Sequence, residues 1–337
     1  MDCSRRNLLA LSAVIGGLAW HQAAHAQGAS KSTGPAEKPK GPVAAMPPTE
    51  QIMYSAIRII VPLSSETWST GTGFFFNFFV DGDRAISTII TNRHVIASGD
   101  TVNLTFNQDN GSGSPIIGKT ITYTITDLPM RLILHPSADL AVIFIGDIIN
   151  KLRIEGRPPY MIFLTRDLIP EEKALNSLTP TEAVLTVGFP GQVWDSTHNL
   201  PLFHRGYTAT PPYIDFNGRP EFMVDFTTWP GASGSPMFLF EEGSWFDRNG
   251  GGPTLGGIRA NLLGVVYGVT QQNLEGDIVV VEAPTKITKT PLKAEVLSPT
   301  NLGACIRSTV ILDFEPIMAK RGAKVPSGYK MRSALNP

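Results

Sequence analysis

The sequence predicts an all-β protein built from two antiparallel six-stranded β-barrels. Short runs rich in Ile, Val, Thr and Phe alternate with Gly, Asp, Asn and Pro, as strands alternate with turns. No helical periodicity long enough to support a parallel α/β sheet occurs along the chain. With 337 residues, 42% of them hydrophobic and 17% charged, the chain is large and apolar enough for one or two domains with their own cores.

The first barrel is predicted within residues 51–180. Its six strand-like runs follow one another closely, which is typical of a closed antiparallel barrel. The less regular stretch 151–180 is interpreted as a connection between the two halves. The runs are Ile52–Pro62, Gly73–Val80, Ala85–Thr91, Val102–Phe106, Thr120–Thr126 and Leu140–Ile145.

The second barrel is predicted within residues 181–315, and the last of its runs could instead be helical. The Gly-rich stretch 241–259 is interpreted as a surface loop or a long turn, and 316–337 as a polar tail. The runs are Ala183–Gly188, Leu202–Thr208, Phe222–Thr228, Pro236–Phe240, Leu262–Val269, Asp277–Val281 and Ile306–Phe314.

Residues 1–26 have the features of a bacterial export signal of the twin-arginine type. Arg5 and Arg6 precede an apolar stretch, and the small residues Ala24 and Ala26 fit a cleavage site. We therefore expect a periplasmic or extracellular protein with no membrane span in the mature chain. The alternative is an uncleaved anchor, although the apolar stretch is shorter than the roughly 20 residues of a spanning helix. Residues 27–50, rich in Gly, Pro, Ala, Ser and Lys, are predicted to be a flexible linker.

Charge and cysteine content argue against several other classes of function. The formal net charge is −1 and no basic run is interleaved with aromatic residues, so neither a nucleic acid nor an anionic membrane is indicated as a partner. Signal cleavage would remove Cys3 and leave Cys305 as a buried thiol without a disulfide. No H-E-x-x-H or similar spacing occurs, so we expect neither a metal nor a cofactor.

Three stretches carry residues suited to chemistry. In "TNRHVIASGD" His94 follows the end of an apolar, β-branched run. In "WPGASGSPMF" Ser233 lies among small residues, where glycines would let backbone N–H groups face a developing oxyanion. In "LHPSADLAVIF" Asp139 begins an apolar run, where a buried carboxylate would need a partner such as an imidazole N–H. Taken alone, the serine could belong to a Gly-Ser turn and the aspartate to a strand edge.

Together, "TNRHVI", "DLAVI" and "GASGSP" resemble the His, Asp and Ser motifs of the trypsin-like, or chymotrypsin-fold, serine peptidases, in that chain order. The stretches "GTGFFF" and "VGFPG" are also similar to the family, and the resemblance covers roughly residues 51–315. The motifs around His94 and Ser233 resemble most those of bacterial exported glutamyl endopeptidases and high-temperature-requirement proteases. Few residues follow Phe314, so the PDZ domain of the latter is not expected. The motif order excludes an α/β-hydrolase, in which the serine comes before the acid and the histidine.

The resemblance implies a double barrel with the active site in the cleft between its halves and a polypeptide substrate. Ser233 would attack the scissile carbonyl, His94 would act as the base, and Asp139 would orient the imidazole. The backbone N–H groups of Gly231 and Ser233 would form the oxyanion hole. Because Ala232 precedes the serine, where zymogens activated by N-terminal insertion have an aspartate, no buried ammonium group is expected to control activity.

The same alignment assigns the substrate-binding pocket. Glutamyl endopeptidases have a histidine at the position of Val266, so a preference for small or apolar side chains is expected here. The aligned pocket residues are Thr227, Thr228, Val266, Tyr267 and Gly268.

The same sequence allows two other functions, and it contains three further histidines after the predicted signal. A catalytically inactive or latent protein of the same fold could bind extended peptides by strand addition along Leu263–Gly268. Hydrolysis of small esters is chemically accessible to the same three residues. His135 is interpreted as structural, and His198 and His204 as surface residues.

Overall fold

The computed structural model describes residues 21–22, 46–63, 67–97, 99–191, 193–226, 231–248, 253–278 and 292–332. The strands of the first half are short or medium in length and are joined by tight turns. They are β1 (His21–Gln22), β2 (Ala56–Pro62), β3 (Trp68–Asp81), β4 (Arg84–Thr91), β5 (Val102–Asp109), β6 (Pro115–Ile125), β7 (Leu132–Leu134), β8 (Ala141–Phe144), β9 (Pro159–Tyr160) and β10 (Ile162–Thr165). The helices are α1 (Pro48–Met53), α2 (Arg93–Ile96), α3 (Leu128–Arg131), α4 (Gly146–Ile154), α5 (Glu172–Leu175) and a 3-10 helix, Arg166–Leu168.

The first half forms one sheet whose main path is β6-β5-β2-β3-β4-β8-β7. All six predicted runs contribute strands to it, although Ile52 and Met53, at the start of the first run, belong to helix α1. The sheet also contains four short strands that were not predicted, β1, β7, β9 and β10, so it has ten strands rather than six. A phenylalanine-rich strand, β3, runs through its centre, and Phe74, Phe76 and Phe78 are almost completely buried. Burial of such side chains supplies much of the hydrophobic free energy that holds the sheet together.

The stretch interpreted as a connection, 151–180, is part of the first core. Strand β10 pairs in parallel with β3, with Leu164 opposite Phe76, and Phe163 and Leu164 are buried. Four consecutive buried residues, Ile162–Thr165, indicate a strand covered on both faces, a pattern that lacks the polar alternation of an edge strand.

The second half is a closed six-stranded barrel, and the predicted all-β double-barrel fold is confirmed. Its strands close in the order β11-β12-β13-β16-β15-β14. Cys305 on β16 is free and completely buried, as predicted, and burial raises the pKa of its thiol. The strands are β11 (Ala183–Gly188), β12 (Leu202–Thr208), β13 (Glu221–Asp225), β14 (Pro236–Phe246), β15 (Pro253–Ile278) and β16 (Leu292–Arg307).

Two details of the second half differ from the prediction, and a third agrees with the alternative that was left open. The stretch 241–259 is not a loop, because β14 and β15 pair along it from Glu241–Arg259 out to Phe246–Pro253. The run Asp277–Val281 is not a separate strand: Asp277 and Ile278 end β15, and 279–281 lie outside the described residues. The last run is partly helical, since β16 ends at Arg307 and a 3-10 helix, Ser308–Asp313, follows.

The polar tail predicted from residue 316 is folded as far as residue 332. We call residues 308–332 the C-terminal strap; it contains the 3-10 helix Ser308–Asp313 and helix α6 (Phe314–Lys320). Glu315 is fully buried and its carboxylate pairs with Arg166 of the first half at 2.7 Å. Tyr329 donates a hydrogen bond to Glu315 Oε1 at 2.8 Å, and its ring lies 5.3 Å from that of Phe79 on β3. Paired charges and an aromatic contact therefore hold the strap on the first sheet, which composition alone did not indicate.

Most of the N-terminal predictions fall outside the described residues, which include only 21–22 of the predicted signal and 46–50 of the predicted linker. Strand β1 pairs antiparallel with β10, with His21 opposite Phe163. Helix α1 begins at Pro48, and Gln51 donates a hydrogen bond to the Met46 carbonyl at 2.7 Å, so the end of the linker is ordered. Among the helices in the described ranges, none has the length and hydrophobicity needed to cross a membrane.

Candidate active site

His94 and Asp139 form a close pair on the first sheet. Strand β4 ends at Thr91, and the single turn of α2 presents the half-exposed His94 side chain. Its Nδ1 lies 2.5 Å from Asp139 Oδ2, and its backbone N–H donates to Asp139 Oδ1 at 3.0 Å. The same carboxylate therefore fixes both the ring and the backbone of the histidine.

Asp139 is held in place by the pairing of β4 with β8. Thr91 pairs with Ala141, so the residue just before β8 comes to lie beside the residues that follow β4. The buried Asn92 donates from its side-chain amide to the Asp139 carbonyl at 2.8 Å. The sequence analysis did not identify Asn92. A polar residue at the end of an apolar strand can indicate a side chain that hydrogen-bonds to the backbone of a neighbouring segment.

Ser233 lies on a tight turn between β13 and β14 that is bonded to both halves of the molecule. Thr72 on β3 donates its backbone N–H to the Ser233 carbonyl at 2.9 Å. Gly234 donates to the Val266 carbonyl on β15 at 2.8 Å, with a φ of +87° that favours glycine. The turn is therefore fixed at the junction of the two halves.

Thr72 connects the two halves a second time through its buried hydroxyl. Its Oγ1 donates to the Gly231 carbonyl at 3.0 Å and accepts from the Phe189 N–H at 2.9 Å. Its carbonyl accepts from Thr91 Oγ1 at 2.7 Å, which links this network to the strand before His94. The motif "GTGFFF" was interpreted only as part of a strand. A threonine between two glycines could also have indicated a side chain that forms hydrogen bonds.

Through Thr72, these contacts tie the Ser233 turn to β3 and to the end of β4, the strand that precedes His94. Gly71, the neighbour of Thr72, packs so tightly on Val95 that a Cβ there would lie 2.5 Å from Val95 Cγ1. Ser233 Oγ itself donates to the Tyr267 carbonyl at 3.4 Å. In the part of the chain that the structure describes, the N–H groups of Gly231 and Ser233 have no hydrogen-bond partner.

The predicted substrate-binding residues differ in their surroundings. Thr227 and Thr228 lie outside the described residues. The Val266 side chain is buried in the second core, and its backbone N–H donates to the Ser235 carbonyl at 2.9 Å. Tyr267 donates its hydroxyl to Glu221 Oε2 at 2.6 Å, and burial raises the pKa of Tyr267.

Strand β15 has an open side near Ser233. Its described pairing with β14 reaches the Ser233 turn at Pro236–Val265, and its pairing with β16 is irregular between Val266 and Gly268. On the side facing Ser233, Tyr267 and Gly268 therefore have no strand partner among the described residues. An extended peptide could pair with the backbone here.

The remaining histidines are remote from this pair or buried. His135 is almost fully buried, in agreement with a structural role. His198 pairs with Asp195 at 2.7 Å in a partly exposed position. His204 on β12 was predicted at the surface but is partly buried, and this burial lowers its pKa. Within the described ranges, no group of three His, Cys, Asp or Glu side chains is arranged to hold a metal ion.

Comparisons with known proteins give one family match. Residues 71–246, just over half of the chain, match the model of the trypsin-like peptidase domain. No curated protein sequence matches the chain.

Among solved structures, the chain is similar to the HtrA-type protease AlgW with tripeptide, with 14% identity over 81% of this chain and a TM-score of 0.44, but it spans only 63% of that chain. It is also similar to the Rv3671c protease from M. tuberculosis in its active form, with 16% identity over 89% and 97% of the two chains and a TM-score of 0.38. A third similar structure is catalytically active tobacco etch virus protease complexed with product, with 12% identity, 90% and 93% coverage and a TM-score of 0.41.

Proposed function

Because the chain belongs to the family of trypsin-like peptidase domains, which are serine-type endopeptidases, we propose that it hydrolyses peptide bonds through His94, Asp139 and Ser233. The observation that carries this proposal is the 2.5 Å contact between His94 Nδ1 and Asp139 Oδ2, together with the bonds by which Thr72 ties the Ser233 turn to the strand before His94. An imidazole held in this way keeps its Nδ1 proton on the carboxylate side and leaves Nε2 free to act as a base.

The proposed reaction has two acyl-transfer steps. Ser233 Oγ attacks the scissile carbonyl carbon while His94 Nε2 takes the hydroxyl proton, and the positive imidazolium is stabilised by Asp139. His94 then gives that proton to the amide nitrogen, the C–N bond breaks, and an acyl-enzyme remains on Ser233. Water attacks the ester, His94 takes its proton, and the carboxylic acid leaves as Ser233 is protonated again.

We propose that the N–H groups of Gly231 and Ser233 stabilise the tetrahedral oxyanion. Thr72 holds the turn on which both donors lie, because its hydroxyl donates to the Gly231 carbonyl and its backbone N–H donates to the Ser233 carbonyl. Preorganised donors of this kind are each worth about 10²-fold in rate or more. Thr227, Thr228, Val266, Tyr267 and Gly268 remain the proposed substrate contacts, and the open side of β15 supports an extended polypeptide as the substrate.

One observation favours a second candidate function. The Ser233 hydroxyl donates to the Tyr267 carbonyl, so it must turn toward His94 before it can attack. A protein that kept this orientation would be latent or inactive and would bind extended peptides along Tyr267 and Gly268. Hydrogen bonds of an active site often tighten only when substrate is bound, which favours the peptidase.

Covalent labelling distinguishes the two functions. A fluorophosphonate probe forms a bond from phosphorus to an activated serine oxygen as fluoride leaves, and we expect a single label on Ser233, located by mass spectrometry. Ser233→Ala and His94→Ala are expected to abolish it. His198→Ala is the matched control, because His198 Nδ1 makes a similar 2.7 Å contact with Asp195, and it should retain full labelling. An unlabelled wild-type protein would favour the latent function, and labelling that survives His94→Ala would contradict the proposed base.

We also propose that the protein is exported in bacteria, on the strength of the Arg5-Arg6 pair and the small residues before Gln27. Replacing both arginines with lysine is expected to leave most of the protein in the cytoplasm of a host that has the twin-arginine pathway. Cell fractionation measures this, with a marker of the general secretion pathway as the control. Undiminished export of the double variant would contradict the proposed signal type.

A further inference from the structure

A second histidine, His135, organises the loop that carries Asp139. It lies at the end of β7, is almost fully buried, and donates its backbone N–H to the Leu140 carbonyl at 2.9 Å. Its ring Nδ1 accepts hydrogen bonds from the backbone N–H of Ala138 at 2.8 Å and of Ser137 at 3.3 Å. The backbone just before Asp139 is thus folded onto this ring.

These bonds determine which ring nitrogen of His135 carries the proton. A backbone N–H can only donate, so Nδ1 must be unprotonated and the proton is on Nε2. That nitrogen lies 3.4 Å from Asp313 Oδ2, in a contact where both side chains are buried. The ring also packs edge-on against Phe314, with 5.4 Å between centroids. His135 therefore joins the Asp139 loop on one side to the C-terminal strap on the other.

We propose that His135 and Asp313 are positioning residues that set the geometry of the His94–Asp139 pair from the C-terminal strap. This inference rests on the proposed peptidase function. Asp139 touches His94 and Asn92 directly, whereas the backbone of its own loop is bonded to His135. A displacement of about 1 Å in a catalytic group can cost about 10²-fold in rate, so a loop released from His135 is expected to lower turnover.

The strap carries two buried carboxylates with different contacts, and this provides a matched control. Glu315 pairs with Arg166 and Tyr329 and anchors the strap to the first half without touching the Asp139 loop. Asp313 faces His135 through Oδ2, and its Oδ1 lies 3.4 Å from Arg332 Nη1. Loss of Glu315 should therefore weaken the fold, whereas loss of Asp313 should also disturb the active site.

The experiment compares Asp313→Ala, Asp313→Asn and Glu315→Ala, each assayed well below its own Tm. Asp313→Ala is expected to lower kcat about 10-fold or more with KM changed less than about twofold, because substrate contacts are untouched. Asp313→Asn keeps an oxygen acceptor for His135 Nε2–H, so this variant is expected to retain most of the wild-type kcat. Glu315→Ala is expected to lower Tm with kcat near the wild-type value. If Asp313→Ala does not fold, His135→Gln, which loses the acceptor for Ala138, provides the same test.

A spectroscopic measurement keeps this inference separate from the peptidase proposal. The proton of a short, charge-assisted hydrogen bond such as that between His94 and Asp139 resonates far downfield. It should shift or broaden in Asp313→Ala and stay in place in Asp313→Asn and Glu315→Ala, whether or not the protein cleaves peptides. An unchanged resonance in Asp313→Ala, or equal changes in the Glu315 variant, would overturn the inference. Absence of Ser233 labelling in the wild-type protein would overturn the proposed function alone.

Discussion

Replacing Asp139 with asparagine is expected to lower kcat about 10⁴-fold with little change in KM. The amide still accepts from the His94 backbone N–H through its oxygen, so the fold at this point is preserved. Its NH₂ group faces His94 Nδ1, however, and favours the tautomer with the proton on Nε2. Such an imidazole cannot take the proton of Ser233. Steady-state kinetics on a peptide substrate measures the effect.

Asp195→Asn is the matched control for this substitution. Asp195 holds His198 through the same pair of contacts, from Oδ2 to the ring and from Oδ1 to the backbone N–H, on an exposed loop. We expect its kcat to stay within about twofold of the wild-type value. A loss of less than 10-fold in Asp139→Asn, or an equal loss in both variants, would contradict the role proposed for Asp139.

Replacing Gly234 with alanine is expected to destabilise the protein by about 3 kcal/mol or more and to abolish labelling of Ser233. The glycine has a φ of +87°, and an added Cβ would overlap the carbonyl oxygen of Thr72 and lie 2.6 Å from Thr91 Oγ1. Thr72 cannot move away from the added Cβ, because its carbonyl, backbone N–H and hydroxyl all form hydrogen bonds at the junction of the two halves. The turn would have to move, and Ser233 would move with it.

Gly243→Ala separates this steric effect from the cost of backbone conformation. Gly243 has a similar φ of +97° in the β14–β15 hairpin, but an added Cβ there would meet nothing within 4 Å. We expect a cost of about 1–2 kcal/mol from the left-handed conformation alone and full labelling of Ser233. Urea unfolding measures both variants. Equal destabilisation by the two substitutions would show that close packing at Gly234 is not the cause.

Local sequence patterns predicted the fold class and most of the strands. The six runs of the first half form strands because each buries β-branched and aromatic residues next to a turn, which is a property of adjacent residues. The contact between Asp139 and His94 is a pairing that the resemblance to the family implied, whereas the Asp139 motif alone also allowed an aspartate at a turn or strand edge. The assignment of Ser233 as the nucleophile stays a prediction.

Contacts between distant parts of the chain could not be predicted in the same way. The parallel pairing of β10 with β3 joins Leu164 to Phe76 without a hairpin that would set its register. The strap looked like a polar tail because its charged residues, such as Glu315 and Arg332, have their partners far away in the sequence. Asn92 and Thr72 were missed as site residues for the same reason, since each bonds backbone atoms of a remote segment. The contact of His135 with Asp313 likewise joins residues far apart in the sequence.

The C-terminal strap has a consequence for biosynthesis. Ribosomes make the first sheet and the Asp139 loop early, whereas Asp313, Glu315 and Tyr329 emerge after both halves of the molecule. Until then Arg166 and His135 lack the carboxylates that they contact in the folded protein. A nascent chain that already contains His94, Asp139 and Ser233 is therefore still without the contacts that complete the Asp139 loop.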